Sequence, residues 1–89
     1  MRTAYARSFI KDLKKLEGTD AYSRIHTLAF ETVPQARTLG EVANLKKLTG
    51  YRDAYRIKLG EYRLGLTLEG ETVVFRRVLH RKDIYRYFP

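Results

Sequence analysis

Ala54-Tyr-Arg-Ile-Lys-Leu59 and Tyr62-Arg-Leu-Gly-Leu-Thr-Leu68 each alternate apolar with polar residues, the period of a strand with one buried face. Only Gly60 and Glu61 lie between them. That spacing predicts a two-residue hairpin with glycine at its first central position, the type II′ arrangement. In this register Leu59 faces Tyr62 and Lys58 faces Arg63. Opposed residues share a sheet face, with Cβ atoms about 5 Å apart. Tyr55, Ile57, Leu59, Tyr62, Leu64, Leu66 and Leu68 therefore make one apolar face. Arg56, Lys58 and Arg63 make the other, with Gly65 opposite Arg56. Like charges opposed across a ladder destabilise it, so a sheet that keeps Lys58 against Arg63 invites an anion between them. A solvated basic face that serves only solubility is the competing reading.

Outward from the hairpin, Glu69-Gly70 reads as the next tight turn and Glu71 to Leu79 as the last long strand. A two-residue turn there sets Leu66 against Val73, Leu64 against Phe75 and Arg63 against Arg76, adding a third cation to the polar face. Strict parity then puts His80 with Arg76 and turns Arg81 the other way, unless the strand ends first or a bulge re-aims it.

Upstream, Arg2 to Ala6 is a candidate first strand. Ser8 is a plausible N-cap for a helix whose apolar stripe is Phe9, Ile10, Leu13 and Leu16, with Lys11, Lys14 and Lys15 on the wet side. Gly18 stops it. Asp20 can cap a second helix with Ile25, Leu28, Ala29 and Val33 as its stripe, ended by Pro34. The two helices read as a hairpin laid on the apolar sheet face. In residues 35–49, Val42, Leu45 and Leu48 fit a short turn or a strand edge. His26 has no second histidine, cysteine or carboxylate spaced with it, and reads as a surface or core-edge residue. In the tail, Phe88 reads as a core plug, whereas Tyr85 suits a core plug and a stacking surface equally.

Eighty-nine residues make a single domain over 1–89, with no room for a second core. The mean hydropathy of −0.46 and the lack of a long apolar run argue against a membrane span. Met1 to Ile10 carries no apolar signal segment. Without cysteine there is neither a disulfide framework nor a thiolate metal site. The net charge of +8 points to a polyanionic partner. Residues 1–50 hold nine Lys and Arg against five Asp and Glu, and residues 51–89 hold the same. The charge therefore belongs to the folded domain and not to a tail.

The residues available for chemistry are Lys, Arg, His and Tyr. No phosphate-cradling glycine loop, carboxylate pair or Ser-His-Asp set is legible. That vocabulary suits RNA phosphodiester cleavage, in which the 2′-hydroxyl is an internal nucleophile. The protein must then accept a proton, neutralise the phosphorane and help the 5′-oxygen leave. A guanidinium suits the middle task because it is planar, always charged and bidentate toward phosphate. A lysine serves as base only where neighbouring cations disfavour its charge; Arg56, Arg63 and Arg76 are the neighbours expected here. An aromatic ring stacks on an unpaired base. Plain nucleic-acid binding, or binding of an acidic protein, draws on the same cations.

Phe9-Ile-Lys-Asp-Leu-Lys-Lys-Leu16, Leu48-Thr-Gly50, Tyr55-Arg-Ile-Lys-Leu-Gly-Glu-Tyr-Arg63 and His80-Arg-Lys-Asp-Ile-Tyr85, in that order, resemble the RelE/ParE superfamily of toxin–antitoxin toxins. The resemblance spans nearly the whole chain. It implies an α+β fold with two N-terminal helices on a four-stranded, mainly antiparallel twisted sheet. It implies a cytoplasmic prokaryotic toxin of a type II system, bound by a cognate antitoxin in a hetero-oligomer that binds operator DNA. For the RelE-like branch it implies ribosome-dependent, metal-independent endoribonuclease activity on mRNA, with no cofactor.

On that resemblance, Lys58 is the general base and Arg63 stabilises the pentacoordinate phosphate. Arg81 assists the leaving oxygen, and Tyr85 stacks on the nucleotide. His80 is a further acid or base, and Arg56, Arg76 and Lys82 contact RNA or phosphate. Two other classes remain: a ParE-like inhibitor of DNA gyrase without nuclease activity, and an inactive member that only binds antitoxin or DNA.

Overall fold

The computed structural model describes residues Met1–Pro89. Strand β1 (Arg2–Tyr5) leads into helix α1 (Arg7–Lys15) and helix α2 (Asp20–Thr27). A π turn (Leu28–Thr32) joins α2 to a last helical turn, α3 (Val33–Gln35). After a 3₁₀ turn (Leu39–Glu41) come β2 (Leu45–Lys47), β3 (Ala54–Leu59), β4 (Tyr62–Glu69) and β5 (Thr72–His80), then a short helix α4 (Ile84–Tyr87). The sheet order is β1-β5-β4-β3-β2. It has five strands, not four, and it is mixed: β1 runs parallel to β5, and the other pairs are antiparallel.

The β3–β4 hairpin has the expected register, with Leu59 opposite Tyr62 and Lys58 opposite Arg63. Gly60 has φ +59° while Glu61 stays at negative φ, the type II′ pattern that glycine adopts without a Cβ clash. The β4–β5 turn repeats the device one residue later than expected: Gly70, at φ +62°, is again the first central residue, followed by Glu71. Glu69 therefore pairs with Thr72 and Leu66 with Phe75. A bulge follows, because Gly65 pairs with Arg77 and Arg76 is left out of the ladder. Arg63 consequently faces Leu79, not Arg76, and His80 faces Tyr62. The strand ends at His80, before Arg81.

Helices α1 and α2 cover the apolar face. Phe9, Ile25, Ala29, Val33, Leu64, Leu66 and Phe75 are completely buried there. Ile10 departs from the expected stripe and is exposed. Neither expected cap forms. Ala6 is the N-cap of α1 without a side-chain bond, and the Ser8 hydroxyl instead donates to the Arg76 carbonyl at 2.7 Å. Thr19, not Asp20, is the N-cap of α2. Beyond β1, the outer edge of β5 is thus served by α1: Asp12 accepts from Val78 N–H at 3.1 Å. Ser8 and Asp12 side chains stand where a longer β1 would otherwise pair.

Pro34 does not end the helix, which runs to Gln35. The π turn explains this. Val33 N–H donates to the Leu28 carbonyl, five residues back, so the next donor in that register would be residue 34, and proline has none. The Tyr5 hydroxyl takes the freed Ala29 carbonyl at 2.7 Å, with its ring stacked 4.3 Å from that of Phe30. Removing one partner of such a bond leaves a poorly satisfied carbonyl, a loss of about 1–2 kcal/mol. Tyr5→Phe should lower stability by that amount in denaturant unfolding while the ring stacking persists.

The opposite face is not wholly polar. Ala54, Ile84 and Phe88 form a second buried cluster, with Leu48 and Leu79 packed against it. The expected plug at Phe88 lies directly over Gly65: a Cβ added there would sit 2.5 Å from the Phe88 ring. A glycine inside a strand marks close approach by another group, and here that group is the C-terminal aromatic. Helix α4 is thereby seated across one part of this face, and the cations occupy the rest.

Candidate functional site

Ladder pairing places the cations in rows on the α4 side of the sheet. Lys46, Arg56, Gly65 and Arg77 form one row across β2 to β5. Lys58, Arg63 and Leu79 form the next. Lys58 is exposed and Arg63 half-buried. Arg63 folds back on the hairpin turn, its Nη1 donating to the carbonyls of Gly60 and Tyr62, both at 2.9 Å. Arg56 reaches the Asn44 carbonyl at 3.2 Å.

The Gly60–Glu61 turn also gathers residues from beyond β5. Arg81 N–H donates to the Glu61 carbonyl at 2.8 Å, and Arg81 Nε lies 3.0 Å from Glu61 Oε2. His80 Nε2 lies 3.7 Å from the same oxygen, while its ring stands edge-on to Tyr62. Lys82 N–H donates to His80 Nδ1 at 3.1 Å, which holds the post-strand turn closed. Tyr85 follows on α4, just after the Arg81 turn, and is exposed. The fold therefore brings Lys58, Arg63 and Arg81 to one end of the sheet around a single turn, with Tyr85 on the adjoining helix, whereas His80, paired with Tyr62, points to the apolar face at that end.

Arg76 is not brought there. The bulge aims it at the far end of the β4–β5 hairpin, where Nε donates to Thr67 Oγ1 at 2.9 Å and the guanidinium pairs with Glu69.

Two features escaped the sequence. Glu61 is the internal anion of the site, visible in the sequence only as a turn residue. Asp12, the one buried charged residue, accepts from Arg77 Nε at 2.7 Å and from Nη2 at 3.1 Å. That hydrogen bond, more than the opposing effect of burial, raises the Arg77 pKa above its ordinary value. Arg77 in turn lies under the Tyr87 ring, 5.3 Å from its centroid. A lone carboxylate among the lysines of α1 was the available signal, and helical periodicity gives no weight to such a residue.

Residues 4–85 match the family of the ParE toxin of the type II toxin–antitoxin system parDE. The chain is 43% identical over 90 residues to Toxin RelE3 of Methanocaldococcus jannaschii, with all of both chains covered. It belongs to the RelE/ParE superfamily of type II toxin–antitoxin toxins. Among solved structures, this toxin is similar to the RelB–RelE antitoxin–toxin complex from Methanococcus jannaschii, with TM-score 0.80 and 42% identity. That match covers 97% of the present chain and 99% of the other. It is also similar to the RelBE2 toxin–antitoxin complex from Mycobacterium tuberculosis, with TM-score 0.67 and 25% identity over 90% and 96% of the two chains. No helix of the toxin is long and apolar enough to cross a membrane.

Proposed function

We propose that this toxin is a cytoplasmic endoribonuclease that cuts mRNA on the ribosome and is neutralised by a cognate antitoxin. One observation carries the reading: Lys58 and Arg63 are ladder partners beside the turn that holds Arg81. Lys58 takes the proton of a 2′-hydroxyl, and the 2′-oxygen attacks the adjacent phosphorus. Arg63 leaves its carbonyl partners to hold the equatorial oxygens of the phosphorane. The P–O5′ bond breaks to leave a 2′,3′-cyclic phosphate, and the 5′-oxygen departs with its charge stabilised by Arg81 and takes up a proton from water. Tyr85 stacks on the nucleotide and holds it in line; His80, on the sheet face of Tyr62, adjoins this chemistry only through Glu61. Arg56 and Lys82 add phosphate contacts.

Mapping mRNA 5′ ends after induction tests this reading. New ends inside coding regions support it. Intact mRNA with defective supercoiling would instead identify a gyrase inhibitor, and intact mRNA with normal growth a member that only binds its partner.

The antitoxin follows from two facts. Relatives over nearly the full chain were solved as complexes with RelB or as a RelBE2 pair, and a face of opposed cations gains from acidic cover. Operator binding by the hetero-oligomer belongs to the same proposal.

Glu61 sets up a specific result. Its carboxylate occupies Arg81 and adjoins His80, where a phosphate would bind. The pair is mostly exposed, so the contact is worth less than ~1 kcal/mol. Glu61→Gln should tighten RNA binding by about threefold at low salt, converging with wild type at high salt, as read by anisotropy of a labelled oligonucleotide.

A further inference from the structure

The outer edge of β5 carries a chain of contacts that the chemistry above does not use. Asp12, on the opposite layer from the cationic rows, is nearly fully buried. It accepts three hydrogen bonds, one from Val78 N–H and two from Arg77. A carboxylate with that many donors fixes the guanidinium plane. The plane lies beneath the ring of Tyr87, a residue of α4 that is itself half-exposed. A cation held under an aromatic face attracts the ring without needing burial. Helix α4 has only four residues, too few to be stable without such anchors. Its other anchors, Ile84 and Phe88, lie on the sheet.

The geometry points to Asp12 as a positioning residue. Acting through Arg77 and Tyr87, it holds α4 so that Tyr85 is presented beside the Arg81 turn. This role rests on the reading of Tyr85 as the stacking residue. It assigns the Asp12–Arg77 pair to orientation of substrate and not to general stability. Misplacing a positioning group by about 1 Å can cost on the order of 10²-fold in rate. A loosened helix that still visits the right place should therefore cost roughly tenfold.

The test uses the free full-length toxin for hydrogen exchange and ribosomes programmed with a short mRNA for single-turnover cleavage. The variants are Asp12→Asn, Tyr87→Leu and the two combined. Tyr87→Leu changes a half-exposed ring and leaves the core intact. If Asp12→Asn alone does not fold, Asp12→Asn/Arg77→Gln keeps a neutral hydrogen-bonded pair in its place.

The expected result is that amides of residues 84–88 exchange about tenfold faster relative to those of β3, which report the whole fold. The cleavage rate at saturating toxin should fall roughly tenfold with little change in the half-saturating concentration. The double variant should lose no more than either single one, because both break the same chain. Exchange at 84–88 that tracks β3 in every variant would overturn the assignment, as would an unchanged saturating rate beside loosened α4. Absence of cleavage by the wild-type toxin would strike the nuclease reading instead, and the exchange data would still decide whether Asp12 positions α4.

Discussion

Arg63→Ala should lower the saturating rate of mRNA cleavage by about 10²- to 10³-fold, the scale set by removing one preorganised donor from a developing oxyanion. The change should fall mainly on the rate and less on half-saturation, because the guanidinium is asked to bind the phosphorane more tightly than the ground-state diester. Folding should survive. In the free toxin Arg63 donates only to the Gly60 and Tyr62 carbonyls at the hairpin turn, so its removal leaves the strand pairing in place. Its removal also separates Lys58 from a like charge and relieves a small cross-strand repulsion. Arg63→Lys is the sharper variant, since it keeps the charge but loses the planar fork. It should recover only part of the activity. Full activity in Arg63→Ala, measured on programmed ribosomes, would remove the phosphorane role from this residue.

Gly65→Val should lower thermal stability by roughly 10 °C and disorder the C-terminal segment. Valine is favoured in strands, so on propensity alone the change would help by up to about 1 kcal/mol. Sterics oppose it more strongly. The first added carbon would lie 2.5 Å from the Phe88 ring, and the strand cannot retreat because Gly65 is paired with both Arg56 and Arg77. The ring must move instead. Phe88 leaving its seat forfeits about 1.5–3 kcal/mol of apolar burial, which Ile84, in the same cluster, shares in part. A net cost of about 2 kcal/mol corresponds to the stated shift in a domain of this size. Calorimetry of Gly65→Val alone and combined with Phe88→Ala separates the causes: if the ring is the obstacle, the second change should add almost nothing. Cleavage should fall as well, since Tyr85 travels with the same helix.

The sheet was legible where its determinants are local. Alternation and a Gly-Glu pair suffice for β3 and β4, and they carry Lys58 and Arg63 into opposition. The same pair recurs at Gly70-Glu71, but Glu69 offers an equally polar neighbour, and taking the turn one residue early moves every partner on β5 by two positions. The bulge at Arg76 was invisible because Arg76 and Arg77 are chemically alike, and only the contacts with Thr67, Glu69 and Asp12 distinguish them. Strand β1 pairs with residues some seventy positions away, beyond the reach of any periodicity. Strand β2 is three residues with two lysines, too short for alternation to decide between the turn and the strand edge that its apolar residues fit; it is the strand edge. Pro34 predicts a helix end by its missing donor, and a tyrosine from β1 supplies what the proline withholds. The grouping of Arg81 and His80 around Glu61 depends on where β5 stops, which register alone decides.

The parallel pairing of β1 with β5, Arg2 against Thr72 and Tyr5 against Phe75, bears on how the protein is made. Synthesis proceeds from the N-terminus, and segments assemble as they emerge. The first strand has no partner until the penultimate element has been translated. The aromatic stack of Tyr5 with Phe75 must likewise wait. A nascent chain that lacks β5 thus leaves β1 unpaired, along with the far side of β4. The β1–β5 edge therefore closes late in synthesis, once β5 itself has emerged.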